Sequence, residues 1–250
     1  MNVFISNVFD EEFNYKSLKL YPIKLRDYFK FQLFSECLIL EKNSVPDVKI
    51  IQMTYLQYLY HMKNENNLLI EKLYGLLQLA MKRDDFKLIW GYTENGKPFF
   101  KIDPDGEMFF SEDFDNIKEI LAEQNMFELP DEGIQKDVRD DIEKARRIKQ
   151  RINQSNIADL EEQIVALSLY SGISLEKIYD MTIRKFMISV RRATHMIMSS
   201  YYIQASLSGM VEIKDKSLTR HWLVDLNENN KFSDITVALE DIQSKISATG

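Results

Sequence analysis

From Val48 onward the apolar positions of this chain recur mostly at steps of three and four, the period of a helix with one buried face. Ile51, Tyr55, Leu59 and Met62 mark one helix over residues 48–61. Leu69, Leu73, Leu76, Leu77 and Ala80 mark a second over 68–81. The period then changes. LIWGYTENGKPFFKI holds two β-rich runs around Asn95-Gly96, a dipeptide suited to the positive φ angles of a tight hairpin. Asp103-Pro104-Asp105-Gly106 is a second turn, and a short strand over 107–110 completes a three-stranded meander across 88–110. Ser111 predicts a helix N-cap, followed by Glu112, Asp113 and Asp115 where the helix dipole favours anions. That helix runs through Phe114, Ile117 and Leu121 to about Gln124. Before Val48 the pattern is less decisive. Residues 1–17 predict an extended or irregular start. Leu25 to Leu40 suits a buried helix or a strand equally, and Ser44-Val45-Pro46-Asp47 is a break.

The second half is helical by pattern. Leu160, Ile164 and Leu167 share a face, Ser171-Gly172 is a tight turn, and a short helix follows. A long helix starts near Thr182, with Ile183, Phe186, Val190, Ala193, Ile197 and Tyr201 forming a stripe that requires burial. Ser208-Gly209 ends it. VEIKDKSLTRHWLVDL predicts a short strand and a closing element around Trp222, and the tail predicts one amphipathic helix or a frayed end. The class expected is α+β: a mixed N-terminal region with a small antiparallel sheet, then an all-helical C-terminal domain. The boundaries expected are 1–130, a charged helical linker over 131–156, and 157–250.

Charge sharpens that division. Residues 102–143 hold 15 acids against Lys118, Lys136 and Arg139, and the next eight residues, KARRIKQR, carry five bases. An exposed connecting helix over 133–151 accounts for both, and its basic end suits a solvated helix C-terminus. The net charge of -7 argues against a general nucleic-acid coat. Cys37 is the single cysteine, so no intramolecular disulfide forms and a reducing compartment is expected. The start MNVFISNVFDEEF lacks the basic region of a secretory signal. The apolar run over 68–81 is too short to span a bilayer and is broken by Glu71 and Lys72. The compartment expected is the cytoplasm, with no membrane partner.

Candidate chemistry is sparse. The acids around Gly106 miss the spacing of a calcium loop, where glycine stands sixth and glutamate twelfth; a plain turn is expected. His61, His195 and His221 lie in no metal-ligand spacing, so no metal is expected. Cys37 sits in an apolar run where thiols are inert. Nucleophile elbows and phosphate-binding glycine loops are absent from the sequence. No enzyme, catalytic residue or cofactor is expected. A helix-turn-helix remains as an alternative: Leu167, Ile173, Ile178 and Met181 fall at its apolar positions, with Ser168 as the small residue. Its reading helix would present Glu176 and Asp180 beside Lys177, which repels phosphates. The bases Arg184, Lys185, Arg191 and Arg192 lie on the next helix and are the nucleic-acid candidates of that alternative.

The block LEEQIVALSLYSGISLEKIYDMTIRKFMISVRRATHMI, with SGMVEIKDKSLTRHWL after it and FDNIKEILAEQNMFELPDE before it, resembles proteins from tail-gene regions of phages of Gram-positive bacteria. The named family it resembles is the phage tail assembly chaperones. The resemblance spans about Phe109 to Leu226. It implies a non-enzymatic protein that binds the long helical tape measure protein in the host cytoplasm and recruits tail tube proteins. Homo-oligomerisation is compatible with that role. Phe186, Met187, Tyr201, Tyr202 and Trp222 are the candidate partner-binding anchors, because large apolar side chains dominate interface energy. Methionines 181, 187, 196, 198 and 210 suit an adaptable groove or plain core filling. A virion component of tail, neck or baseplate is the nearest alternative.

Overall fold

A computed structural model describes residues 3–40, 42, 47–65, 67–130 and 158–209, with the single positions 141, 144 and 226. The class is α+β: two small antiparallel sheets lie in the N-terminal half, and helices dominate the rest. Two compact units divide the chain. One comprises residues 1–133 and 162–193; the other comprises 134–161 and 194–250. Helices of the second half of the sequence are therefore distributed over both.

In the first unit the chain opens with α1 (Val3–Phe9) and the hairpin β1 (Phe13–Tyr15) and β2 (Leu18–Leu20), paired with Phe13 opposite Leu20. The start expected for 1–17 is extended or irregular; β1 is extended, and α1 is the correction. The apolar pattern misses α1 because the helix is inverted. It buries Ser6 and Asn7 and leaves Ile5, Val8 and Phe9 exposed. The buried polar groups are largely satisfied: Ser6 Oγ donates to Val3 O at 2.9 Å and Asn7 Nδ2 to Glu123 Oε1 at 3.3 Å. The ambiguous stretch after Leu25 folds as helix, with a 3-10 turn (Leu25–Asp27), α2 (Tyr28–Ser35) and a second 3-10 turn (Glu36–Leu38).

The expected helix over 48–61 is two helices, α3 (Val48–Gln52) and α4 (Tyr55–Glu65). Thr54 makes the break. Its N–H donates to Gln57 Oε1 at 2.8 Å, and Gln57 N–H donates to Thr54 Oγ1 at 3.2 Å. This reciprocal capping box starts a new helix. α5 (Leu68–Met81) buries Leu69, Leu73, Leu76, Leu77 and Ala80, the predicted stripe.

The predicted meander is present as β3 (Leu88–Tyr92), β4 (Pro98–Ile102) and β5 (Met108–Phe109) in that spatial order. Trp90 opposes Phe100, and Phe100 opposes Phe109. Phe100 stacks on Phe109 at 5.2 Å and meets Phe114 edge-on at 6.0 Å, so the sheet closes onto α6 (Ser111–Asn125). Ser111 is the first helical residue rather than the cap; its hydroxyl pairs with Thr54 Oγ1 at 2.9 Å. The capping function falls to Asp113, whose Oδ2 accepts the Phe110 N–H at 2.9 Å. The core joins α5 to Phe31, Leu56, Leu59, Phe114, Ile117 and Leu121. Each large apolar side chain so buried contributes about 1.5–3 kcal/mol.

Residues 162–193 complete this unit. They lie in α7 (Leu160–Ser171), α8 (Leu175–Tyr179) and the start of α9 (Ile183–Leu207). Leu25 N–H donates to Met181 O at 2.8 Å, and Ile183 N–H donates to Ile23 O at 2.9 Å. These flank an antiparallel bridge between Lys24 and Thr182. Ile178, Ile183 and Phe186 are buried here.

In the second unit, residues 194–207 continue α9. Asp141 and Lys144 are helical and exposed. The remainder of the predicted linker helix, the basic cluster at 146–151, the element around Trp222 and the tail helix fall outside the described residues.

Candidate interaction surface

The turn between α7 and α8 has the geometry its glycine allows. Gly172 has φ +71°, and its N–H donates to Ser168 O at 2.9 Å. Ser168 Oγ donates to Ile173 O at 2.8 Å and Ser171 Oγ to Leu167 O at 2.6 Å. Ser168 ties the turn back to the helix, and Ser171 adds a second bond to a carbonyl of the last turn of α7. α7 thereby turns Ile164 and Leu167 inward, while Val165, Leu169 and Tyr170 face outward, Leu169 at 82% exposure. α8 buries Ile178 and exposes Leu175 and Tyr179, four residues apart on one face. Five apolar side chains are thus left uncovered on two consecutive helices.

α8 is five residues long, little more than one turn. Its exposed polar residues include Glu176 and Lys177. Asp180 is drawn away from any groove: its Oδ1 accepts from Lys24 Nζ at 3.0 Å and Arg26 Nη2 at 2.6 Å. The Lys24 hydrogen bond is the largest influence holding its carboxyl below the ordinary aspartate value, with Arg26 adding to it. A helix this short, with its acid committed to the protein itself, presents little to a DNA groove.

The candidate anchors separate by position. Phe186 is 0% exposed, so it belongs to the interior of the first unit and is unavailable to a partner. Met187 is half-buried and packs on the core. The stripe predicted from Ile183 to Tyr201 serves the core in its first turns. Further along α9 the pattern opens: Ile197, Met198 and Tyr201 are exposed side by side, Tyr201 at 67%, while Ser199 is buried and Tyr202 half-buried. Three large apolar side chains exposed together on one helix mark a surface suited to an interface. Trp222 lies outside the described residues, as does Met210. Met181 and Met196 are half-buried.

The basic candidates are engaged near the start of α9. Lys185 Nζ lies 2.6 Å from Asp10 Oδ2, and Thr182 Oγ1 donates to Asp10 Oδ1 at 3.0 Å. Arg184 Nη1 donates to Glu123 O at 2.8 Å. These bonds hold α9 against α1 and α6. Arg191 is exposed and Arg192 half-buried. The sequence offers these bases to nucleic acid only in the helix-turn-helix alternative; the acceptors that take two of them, the Asp10 carboxylate and the Glu123 backbone carbonyl, come from distant parts of the chain and leave no local signal.

Reactive chemistry is thin among the described residues. No group of three or more His, Cys, Asp and Glu side chains is placed to hold a metal. Burial pushes the Cys37 thiol up to about 12. One polar cluster joins Asp113 to Lys16 Nζ at 2.6 Å and to the Tyr15 hydroxyl at 2.9 Å, with Asn116 Nδ2 donating to Tyr15 Oη at 2.9 Å. It fastens the β1–β2 hairpin to the start of α6. No described helix is long and apolar enough to cross a membrane.

Fold and surface together define an α+β protein whose later helices carry uncovered apolar side chains. The model of one family, the YomV second domain, matches residues 149–227, the stretch that contains α7, α8 and α9. YomV is a Bacillus phage gene, and the match points to a phage-derived chain. No curated protein and no solved structure matches.

Proposed function

We propose that this chain is a non-enzymatic protein-binding factor of phage tail morphogenesis, acting as a tail assembly chaperone on the tape measure protein. The observation that carries this reading is the run of exposed apolar side chains on the helices of the phage-related segment. Val165, Leu169, Tyr170, Leu175 and Tyr179 sit on α7 and α8, and Ile197, Met198 and Tyr201 on α9. Large apolar side chains left in water on each of these helices mark interaction sites. A tape measure protein is a long helix that needs apolar cover until the tube forms around it, and helix-on-helix contact is the mode such a surface supports.

The test is co-purification of the chain with the tape measure protein of the same phage. Leu169→Asp and Tyr201→Asp alter exposed positions, so both variants are expected to melt like the parent. Each is expected to weaken capture at least tenfold. Undiminished capture by folded variants removes the proposal. Purified particles provide the second arm: a chaperone is absent from them, whereas stoichiometric presence assigns a virion component instead.

A further inference from the structure

β3 is the outer strand of its sheet, and among the described residues no strand pairs with its far side. The register fixes which backbone groups point there. Thr93 N–H donates to Lys97 O at 2.9 Å, and Asp103 N–H donates to Lys87 O at 2.8 Å. Hydrogen-bonded pairs of an antiparallel ladder recur at every second residue. Ile89–Lys101 and Gly91–Phe99 therefore bond within the ladder, whereas Leu88, Trp90 and Tyr92 turn their N–H and C=O groups outward. Sheet edges are ordinarily blunted by a charge, a proline or a bulge. The run LIWGY holds no charge and no proline, and its pairing with β4 is unbroken.

A groove of about 540 Å³ opens beside the first two residues of β3. One wall is a single face of α5, with Asn67, Ile70, Glu71 and Tyr74 at helical spacing; the other is the segment from Phe86 to Ile89. Successive side chains of a strand point to opposite faces. A groove lined by both Leu88 and Ile89 therefore meets the start of the strand's edge. Tyr74 fixes its shape, donating its hydroxyl to Phe86 O at 3.1 Å and stacking on the Phe86 ring at 4.5 Å. At the rim, the Glu71 carboxylate accepts from Asn67 at 3.3 Å. Lys87 is exposed and has no carboxylate partner among the described residues.

We propose that this groove binds an extended peptide segment of a partner protein, which adds to β3 as a fourth strand. Two features choose that occupant. The outward N–H and C=O groups of Leu88, Trp90 and Tyr92 are complementary to an extended backbone. The unpaired Lys87 ammonium complements an acidic side chain, so the segment is apolar at alternate positions with a carboxylate at one end. This surface is separate from the helical one above, and either holds without the other.

The full chain is tested with a blocked ten-residue peptide alternating valine and threonine, one threonine replaced by aspartate. Backbone amide exchange is followed by NMR. The amides of Leu88, Trp90 and Tyr92 are expected to slow at least tenfold on binding, while those of Ile89 and Gly91, already bonded to β4, change little. Lys87→Glu, a surface change that leaves the fold intact, is expected to weaken binding at least tenfold. Tyr92→Pro removes one outward donor at a sheet edge, where proline is tolerated, and is expected to do the same. No binding at millimolar peptide overturns the proposal, as does protection without the alternating pattern. A chain that is dimeric alone, with those three amides already slow, overturns it in favour of self-pairing.

Discussion

Asp113 shows how much one side chain holds together. Burial alone would raise its pKa. The Lys16 ammonium, the Phe110 N–H and the Tyr15 hydroxyl outweigh that and hold the carboxyl below the usual aspartate value. A carboxylate depressed by folding contributes stability above its unfolded value, about 3.9, and loses it as pH falls through the lower folded value. Asp113→Asn is therefore expected to cost about 2 kcal/mol at neutral pH. It should also flatten the acid limb of the stability curve, as read by urea unfolding across a pH series. Cys37 gives an independent check at this scale. With its thiol pushed up to about 12 by burial, it is expected to resist disulfide reagents at pH 8 until the chain unfolds.

At the scale of elements, α2 and α5 approach closely at Gly75. A Cβ placed on Gly75 would come within 2.7 Å of the Phe34 ring. Gly75→Ala is expected to destabilise by about 1–3 kcal/mol, and Phe34→Leu in the same chain to recover part of it, measured by thermal melts of the single and double variants. The elements legible from sequence were those whose burial follows a single period: α5, the β3–β4 hairpin around Asn95-Gly96, and the α7–α8–α9 series. Two others carried signals that compete with the apolar pattern. The break at Thr54 is written as T-x-x-Q, a capping signature lying inside a continuous apolar stripe. α1 was illegible for the opposite reason: its buried positions are Ser6, bonded to its own helix at Val3 O, and Asn7, bonded to Glu123 of α6, so hydrogen bonding rather than hydrophobicity sets its inner face. The candidate surface was legible in part. Tyr201 is exposed as a binding anchor requires, but Phe186, three residues into the same helix, is core, because only the docking of Ile183 onto distant Ile23 decides which end of the stripe is covered.

At the scale of the whole molecule, one compact unit is built from two separated pieces of sequence, 1–133 and 162–193. The later piece is tied in by the backbone bridge at Lys24–Thr182 and by Asp10 and Asp180 pairing with bases across it. Phe186→Ala is thus expected to cost about 3–5 kcal/mol, and to lower the melting of the Trp90 region along with that of α9. Local changes confined to α9, with the Trp90 signal melting as before, would contradict this coupling.

That two-piece construction has a consequence on the ribosome. The residues that cover Ile23 and Leu25 are made roughly 50 residues after α6 is complete. At ~5–20 residues per second the N-terminal half waits on the order of several seconds with that seam open. Synthesis speed across residues 130–186, set by codon choice, then becomes a lever on yield. Slowing translation there should raise the fraction captured by trigger-type chaperones, without any change in the amino-acid sequence.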